Sequence, residues 1–154
     1  MRQAVRSMLV GFLATAALAA TAPDFSGKWV FVPAKSTNVG MMAGLEIHLV
    51  VEQNLDQLTV HERSAYRGQP GSRELHYDLH GQVTANQSPM GEKAQTVAHW
   101  QGGQLLSTST SEGAVAGSTV TRHEVRSLSA DGKTMTVEST RGTSTAVVMV
   151  YERE

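Results

Sequence analysis

From Lys28 to the end of the chain the apolar residues recur at every second position, and no stretch of the mature chain repeats them at the three-to-four spacing of an amphipathic helix. Successive side chains of an extended strand point to opposite faces, so this pattern demands strands with one face buried and one in water. The clearest is residues 45–52, where Leu45, Ile47, Leu49 and Val51 fall on one face and Glu46, His48, Val50 and Glu52 on the other. The same alternation runs through 58–63, through 74–80 (Leu75, Tyr77, Leu79 against His76, Asp78, His80) and through 96–100. Further strands are expected at 104–111, 118–127, 134–140 and 144–153, about nine in all. Between them stand turn sequences: Gly102-Gly103, Ala130-Asp131-Gly132-Lys133 and Arg141-Gly142-Thr143.

A run of short antiparallel strands with no helix to cover it has two exposed edges, and closing the sheet on itself removes both. The expected fold is therefore all-β, a single up-and-down antiparallel barrel of about eight to ten strands, with a two-layer β-sandwich as the alternative. Closure must pair residues 28–32 with 144–153, which brings Trp29 and Arg153 to one rim as the closing pair. The long gaps 33–44 and 82–94, with Met41, Met42, Pro89 and Met90, suggest loops that form a lid.

The first twenty residues read differently. Arg2 and Arg6 precede an apolar stretch from Met8 to Ala20, and Ala17-Leu18-Ala19 gives the small-x-small pattern of a cleavage site. Residues 1–20 are expected to be a signal peptide, leaving one domain at 21–154, with Thr21 to Asp24 as a free leader. That stretch is short for a bilayer span and no second one follows it, so no membrane anchor is expected. The expected location is periplasmic or secreted. Lys and Arg number 13 against 14 Asp and Glu, a net charge of −1 that falls to −3 without Arg2 and Arg6. With no basic run, a nucleic-acid partner is not expected. The absence of cysteine excludes disulfides, thiolate metal sites and a cysteine nucleophile.

The alternation also nominates the interior. Leu45, Ile47, Leu49, Val51, Leu58, Val60, Leu75, Tyr77, Leu79, Met135, Val137, Val148 and Val150 are expected to point inward. Barrels of roughly eight strands are at the size where the lumen is either just filled or holds one small ligand. The candidate ligand contacts are Leu49, Val60, Tyr77, Met135, Met149 and Tyr151. Met149 supplies adaptable apolar surface and Tyr77 a flat face with one hydroxyl. No Gly-x-Ser-x-Gly elbow is present, and carboxylate pairs such as Glu46 with Glu52 or Glu124 with Glu138 read as surface charges, so no catalytic residue is assigned. His76, Asp78 and His80 share a strand face, but i and i+4 lie roughly 13 Å apart, too far for one ion. No metal or cofactor is expected.

Three segments together resemble small exported bacterial lipocalin-like proteins: Asp24-Phe25-Ser26-Gly27-Lys28-Trp29 with the Gly-x-Trp of a first strand, His99-Trp100-Gln101-Gly102-Gly103-Gln104-Leu105, and the Leu128-Ser129-Ala130-Asp131-Gly132-Lys133 turn. The resemblance implies a calycin-type barrel around a small apolar ligand and no defined enzymatic activity. It also implies a Trp and Arg pairing like that proposed for Trp29 and Arg153. The last strand is similar to that of intracellular fatty-acid carriers, whose Arg-x-Tyr holds the ligand carboxylate. Here the matching residues are Met149-Val150-Tyr151, so the resemblance transfers the hydroxyl of Tyr151 but not the arginine. The expected function is an exported binding protein for a small apolar or amphipathic molecule. The alternative is a protein-interaction or inhibitor module without a small-molecule ligand, using residues 21–25 or the long loops, its partner unspecified.

Overall fold

The computed structural model describes residues 21–154; the signal-peptide reading concerns residues outside them. The described residues form ten strands: β1 (Gly27–Phe31), β2 (Leu45–Gln53), β3 (Gln57–Tyr66), β4 (Gln69–Asp78), β5 (Thr84–Gln87), β6 (Lys93–Gln101), β7 (Gln104–Glu112), β8 (Thr119–Leu128), β9 (Thr134–Arg141) and β10 (Val147–Arg153). All lie in one antiparallel sheet of order β4-β3-β2-β1-β10-β9-β8-β7-β6-β5. Every neighbour is a sequence neighbour except β1 and β10. Their pairing, with Trp29 opposite Arg153 and Phe31 opposite Tyr151, turns the meander into a barrel and sets the sandwich aside.

The strand count is ten rather than about nine because the 82–94 gap contains β5, whose Thr-Ala-Asn-Gln sequence carries no apolar alternation. Of that gap, residues 82–83 and 88–92 remain outside strands. The other expected lid is also mostly tied down. The 33–44 connection forms 3₁₀ turns at Pro33–Lys35 and Gly40–Gly44. Between them Thr37 bridges to Val148, and Ser36 Oγ accepts the Val150 N–H at 2.9 Å.

The two edge strands, β4 and β5, face each other without a backbone ladder. Side chains of β5 stand in for the ladder. Asn86 Oδ1 accepts the His76 N–H at 2.8 Å, Asn86 Nδ2 donates to the His76 carbonyl at 2.8 Å, and Thr84 Oγ1 donates to the same carbonyl at 2.7 Å. One residue of β4 thus has its N–H and C=O satisfied as a strand partner would satisfy them.

The lower half of the barrel is packed solid. Phe25, Trp29, Leu58, Val60 and Met135 are essentially inaccessible, and Leu49, Val51, Tyr77, Leu79 and Leu105 are buried around them. The expected free leader at Thr21 to Asp24 is tied down from Pro23 onward. Gln53 holds it by accepting the Phe25 N–H at 3.0 Å and donating to the Pro23 carbonyl at 2.9 Å. Phe25 thereby enters the floor, where its ring lies parallel to Trp100 with centroids 6.0 Å apart, and its carbonyl accepts the Trp29 indole N–H at 2.9 Å.

On β10 the inward set is Val147, Met149 and Tyr151, so Val148 and Val150 are corrected to the outer face. A strand this uniformly apolar gives no parity signal; Val150 is buried although it lies outside the core cluster. The 32–38 segment bonds to its backbone on both sides, through Val32 N–H to Val150 O at 2.8 Å and the Ser36 contact.

Candidate functional site: a charged chamber above a packed floor

The loops following β1, β3, β5, β7 and β9 share the end of the barrel opposite the Trp29 floor. Beneath them lies a cavity of about 280 Å³, roofed by Met42 and Pro89. One wall is apolar: Leu45, Ile47, Val137, Val147, Met149 and Tyr151. The remainder is Glu62, Ser64, Arg73, Arg122, Glu124 and Ser139. A smaller void of about 40 Å³ shares Arg73, Pro89, Arg122 and Glu124 with it and reaches Tyr77 and Asn86 at the β4–β5 seam.

Strand parity explains how charges come to stand inside. In β3 the inward face begins with Leu58 and Val60 and continues, two residues at a time, to Glu62 and Ser64. In β4 the face of Tyr77 and Leu75 continues to Arg73. In β8, Val120, Arg122, Glu124 and Arg126 share one face. Glu124 is therefore a wall residue of the lumen and not the surface charge its sequence context suggests; Glu138 is exposed.

The charges are unequally partnered. Arg73 Nη2 donates to Glu62 Oε2 at 2.8 Å, and both side chains are largely buried. Burial works against the Arg73 charge, yet the Glu62 carboxylate outweighs it and the guanidinium pKa rises. The Arg73 Nε is buried without a hydrogen-bond partner. Arg122 reaches Ser139 Oγ at 3.3 Å. Arg126, on the boundary of the floor, is 6 % exposed; its Nη1 donates to Met135 Sδ at 3.5 Å and its guanidinium lies 5.7 Å from the centre of the Tyr77 ring. Burial, reinforced by the Glu124 charge, pushes the Tyr77 phenol up to about 12. Burial, reinforced by Glu62, likewise raises Tyr151. Both hydroxyls are thus neutral donors at ordinary pH.

The residues nominated from sequence separate into two groups. Met149 and Tyr151 line the cavity, and Tyr77 lines the small void. Leu49, Val60 and Met135 are packed into the solid core and touch neither space. The Arg153 guanidinium lies over the Trp29 ring, 4.2 Å from its centre, and donates to the backbone carbonyls of Gly132 and Ser26. Gly27 makes room for it: a Cβ there would stand 2.4 Å from Arg153 Nη1, and its φ of +129° is one that other residues rarely adopt. The Gly-x-Trp sequence is the inner half of this closure. Outside the barrel, His76 contacts Glu74 at 2.9 Å and His80 contacts Asp56 at 2.9 Å, both exposed.

Sequence reasoning missed Glu62, Arg73, Arg122 and Arg126. For Glu62 and Arg73 a signal was present, since each continues the parity of an apolar face past its last apolar residue. For β8 there was none, because Val120 and Leu128 lie on one face and Val125 on the other.

No family model and no curated protein matches the sequence. Solved structures do. Human cRBP IV matches at 19 % identity and TM-score 0.62, over 86 % of this chain and 99 % of its own. The REP1-NXSQ fatty acid transporter matches at 14 % identity and TM-score 0.63, over 84 % and 95 %. A Schistosoma mansoni fatty acid binding protein in complex with arachidonic acid matches at 19 % identity and TM-score 0.62, over 84 % and 96 %. At these identities the likeness is one of fold: the chain has the barrel architecture of fatty-acid-binding proteins.

Proposed function

We propose that this protein binds one small amphipathic molecule in the upper lumen. The ligand's apolar part lies against Leu45, Ile47, Val137 and Met149, and its acidic head lies against the guanidinium groups of Arg122 and Arg73. The observation that carries this reading is the chamber itself. A cavity of about 280 Å³ joins an apolar wall to partly buried guanidinium groups, in a barrel whose other half is packed solid. A structural barrel of this size has no need of it, since unpaired buried polar groups cost stability. The cavity-lining charges Glu62, Arg73, Arg122 and Glu124 balance, and the buried Arg126 beneath them brings the inward-facing sum to +1, which favours an acidic head group. The solved barrels of the same fold that carry fatty acids support the same class of ligand.

The arginine absent from the Met149-Val150-Tyr151 stretch is replaced in this reading by arginines on β4 and β8. In this reading the ligand is bound rather than transformed. With residues 1–20 read as a signal peptide, the protein works in the periplasm or outside the cell, as in the small exported lipocalin-like proteins its landmarks resemble. Mass spectrometry of the protein recovered from its own host checks this: an amino terminus at residue 20 or 21 is expected, and retention of Arg2 and Arg6 overturns it.

Binding is tested with an anionic, environment-sensitive reporter such as anilinonaphthalene sulfonate, followed by competition with dodecanoate. Saturable one-to-one binding is expected. Met149→Trp, which fills the chamber, and Arg122→Gln, which removes a charge, should each weaken it at least tenfold, the worth of about 1.4 kcal/mol. No saturable binding, or binding indifferent to both changes, overturns the proposal.

A further inference from the structure

The lumen contains a carboxylate that a simple fatty acid leaves unanswered. Glu62 is neutralised by Arg73 at 2.8 Å, but Glu124 pairs with no basic group and accepts no hydrogen bond from the described residues, although it lines both spaces of the lumen. It stands on β8 two residues from Arg122, on the same face, so their Cα atoms are about 6.6 Å apart and the two side chains stand side by side. No ion pair closes between them, and Arg122 reaches Ser139 instead, at 3.3 Å. Across the chamber, the Arg73 Nε is buried and unpartnered. The cavity thus presents two guanidinium groups, Arg73 and Arg122, to an acid and, next to Arg122, a carboxylate without a partner.

A plain carboxylate satisfies only half of this. Seated on Arg122, it lies within a few ångströms of the Glu124 carboxylate, and like charges at that range in a partly desolvated site repel. A head group that carries a donor beside its acid satisfies both sides. Resting on the lumen-binding reading above, we propose that the ligand is an apolar chain ending in a donor-bearing acid, an α-amino or α-hydroxy acid. Arg122 and Arg73 take its carboxylate, and Glu124 takes its ammonium or hydroxyl. Glu124 is then the specificity-determining residue of the chamber, weakening simple fatty acids relative to the donor-bearing acid by charge repulsion. The Glu124 charge is felt at both lumen phenols, Tyr77 and Tyr151, as expected for a carboxylate facing into the chamber.

Two probes of equal chain length separate the possibilities: dodecanoic acid and 2-aminododecanoic acid, each titrated calorimetrically into the protein and into Glu124→Gln at neutral pH. The parent protein should prefer the amino acid by about tenfold, the worth of one charge-assisted hydrogen bond. In Glu124→Gln the amino acid should weaken by about the same factor while dodecanoic acid tightens, because the repulsion is gone. A substitution that merely disturbed the barrel would move both affinities in the same direction, and thermal melts confirm that the variant is folded. Equal affinities in the parent protein, or a preference for dodecanoic acid, overturn this inference and leave the lumen-binding reading standing. Failure of both probes to bind overturns both.

Discussion

The closure of the barrel can be dissected with Gly27→Ala. Two separable costs are built into that position. The first is conformational: φ is +129°, a region essentially restricted to glycine, and holding alanine there costs on the order of 1 to 3 kcal/mol. The second is displacement of Arg153, because the new Cβ would stand 2.4 Å from its Nη1. The tip of an arginine can swing away, so the clash is relieved by losing what the guanidinium was doing. It stacks 4.2 Å from the Trp29 ring centre and donates from Nε to the Gly132 carbonyl at 2.9 Å. It also donates from Nη1 to the Ser26 carbonyl. For a partly exposed arginine the stacking is worth about 0.5 to 1 kcal/mol, and the hydrogen bonds add a similar amount, so the latch contributes about 1 to 2 kcal/mol.

Gly27→Ala should therefore cost about 2 to 5 kcal/mol, and Arg153→Ala about 1 to 2. In the Arg153→Ala background the glycine substitution should cost only its conformational share, so the double variant falls short of the sum by about 1 kcal/mol or more, well above the usual error of additivity. The assay is urea denaturation of residues 21–154, followed by the fluorescence of Trp29 and Trp100. Equal m-values are required before midpoints are compared. Strictly additive losses would refute the reasoning, for they would mean that Gly27 and Arg153 act independently.

Trp29→Ala, which empties a wholly inaccessible site and orphans the Phe25 carbonyl, should be more severe, about 3 to 5 kcal/mol in the same melts. Asn86→Ala should open the β4–β5 seam while leaving the barrel folded, seen as selectively faster amide exchange at His76, whose N–H bonds to the Asn86 side chain; exchange no faster than in the parent would contradict that role. Tyr77 and Tyr151 ionise less readily in the folded chain than in the unfolded one, so between about pH 10 and 12 the folded state binds more protons. Stability should thus be unaffected by these groups below pH 10 and fall above it, by up to about 1.4 kcal/mol per pH unit for each phenol. Phenolate absorbance and near-ultraviolet circular dichroism should change together, and phenolate formation ahead of unfolding would refute the assignment.

Period-two patterning, read residue by residue, contains the barrel. The faces of β2, β3 and β4 follow from Ile47, Leu49, Leu58, Val60, Leu75 and Tyr77 alone, because alternation is a property of the extended backbone and needs no partner. The turn at Gly102-Gly103 is equally local: φ at Gly102 is +58°, which the sequence meets with the residue that tolerates it. The pairing of β1 with β10 follows once the first and last strands of a meander must find partners, and the edges that remain are β4 and β5. Where local pattern is silent, tertiary structure decides. β5 forms on its ladder to β6 and its Asn86 and Thr84 side chains bond across to His76, contacts between segments that no alternation announces. The inner face of β10 is chosen by its ladder to β9 and by the 32–38 segment covering its back, since Val147, Val148, Met149 and Val150 are alike to the solvent. The lumen charges are the sharpest case. Glu62 and Arg73 come from the β3–β4 hairpin and Arg122 and Glu124 from the distant β8, and whether each is a surface charge or a wall of one chamber depends on register and curvature. Those are set by the whole closed sheet, because a one-residue slip in any pairing would turn the same residues out into water.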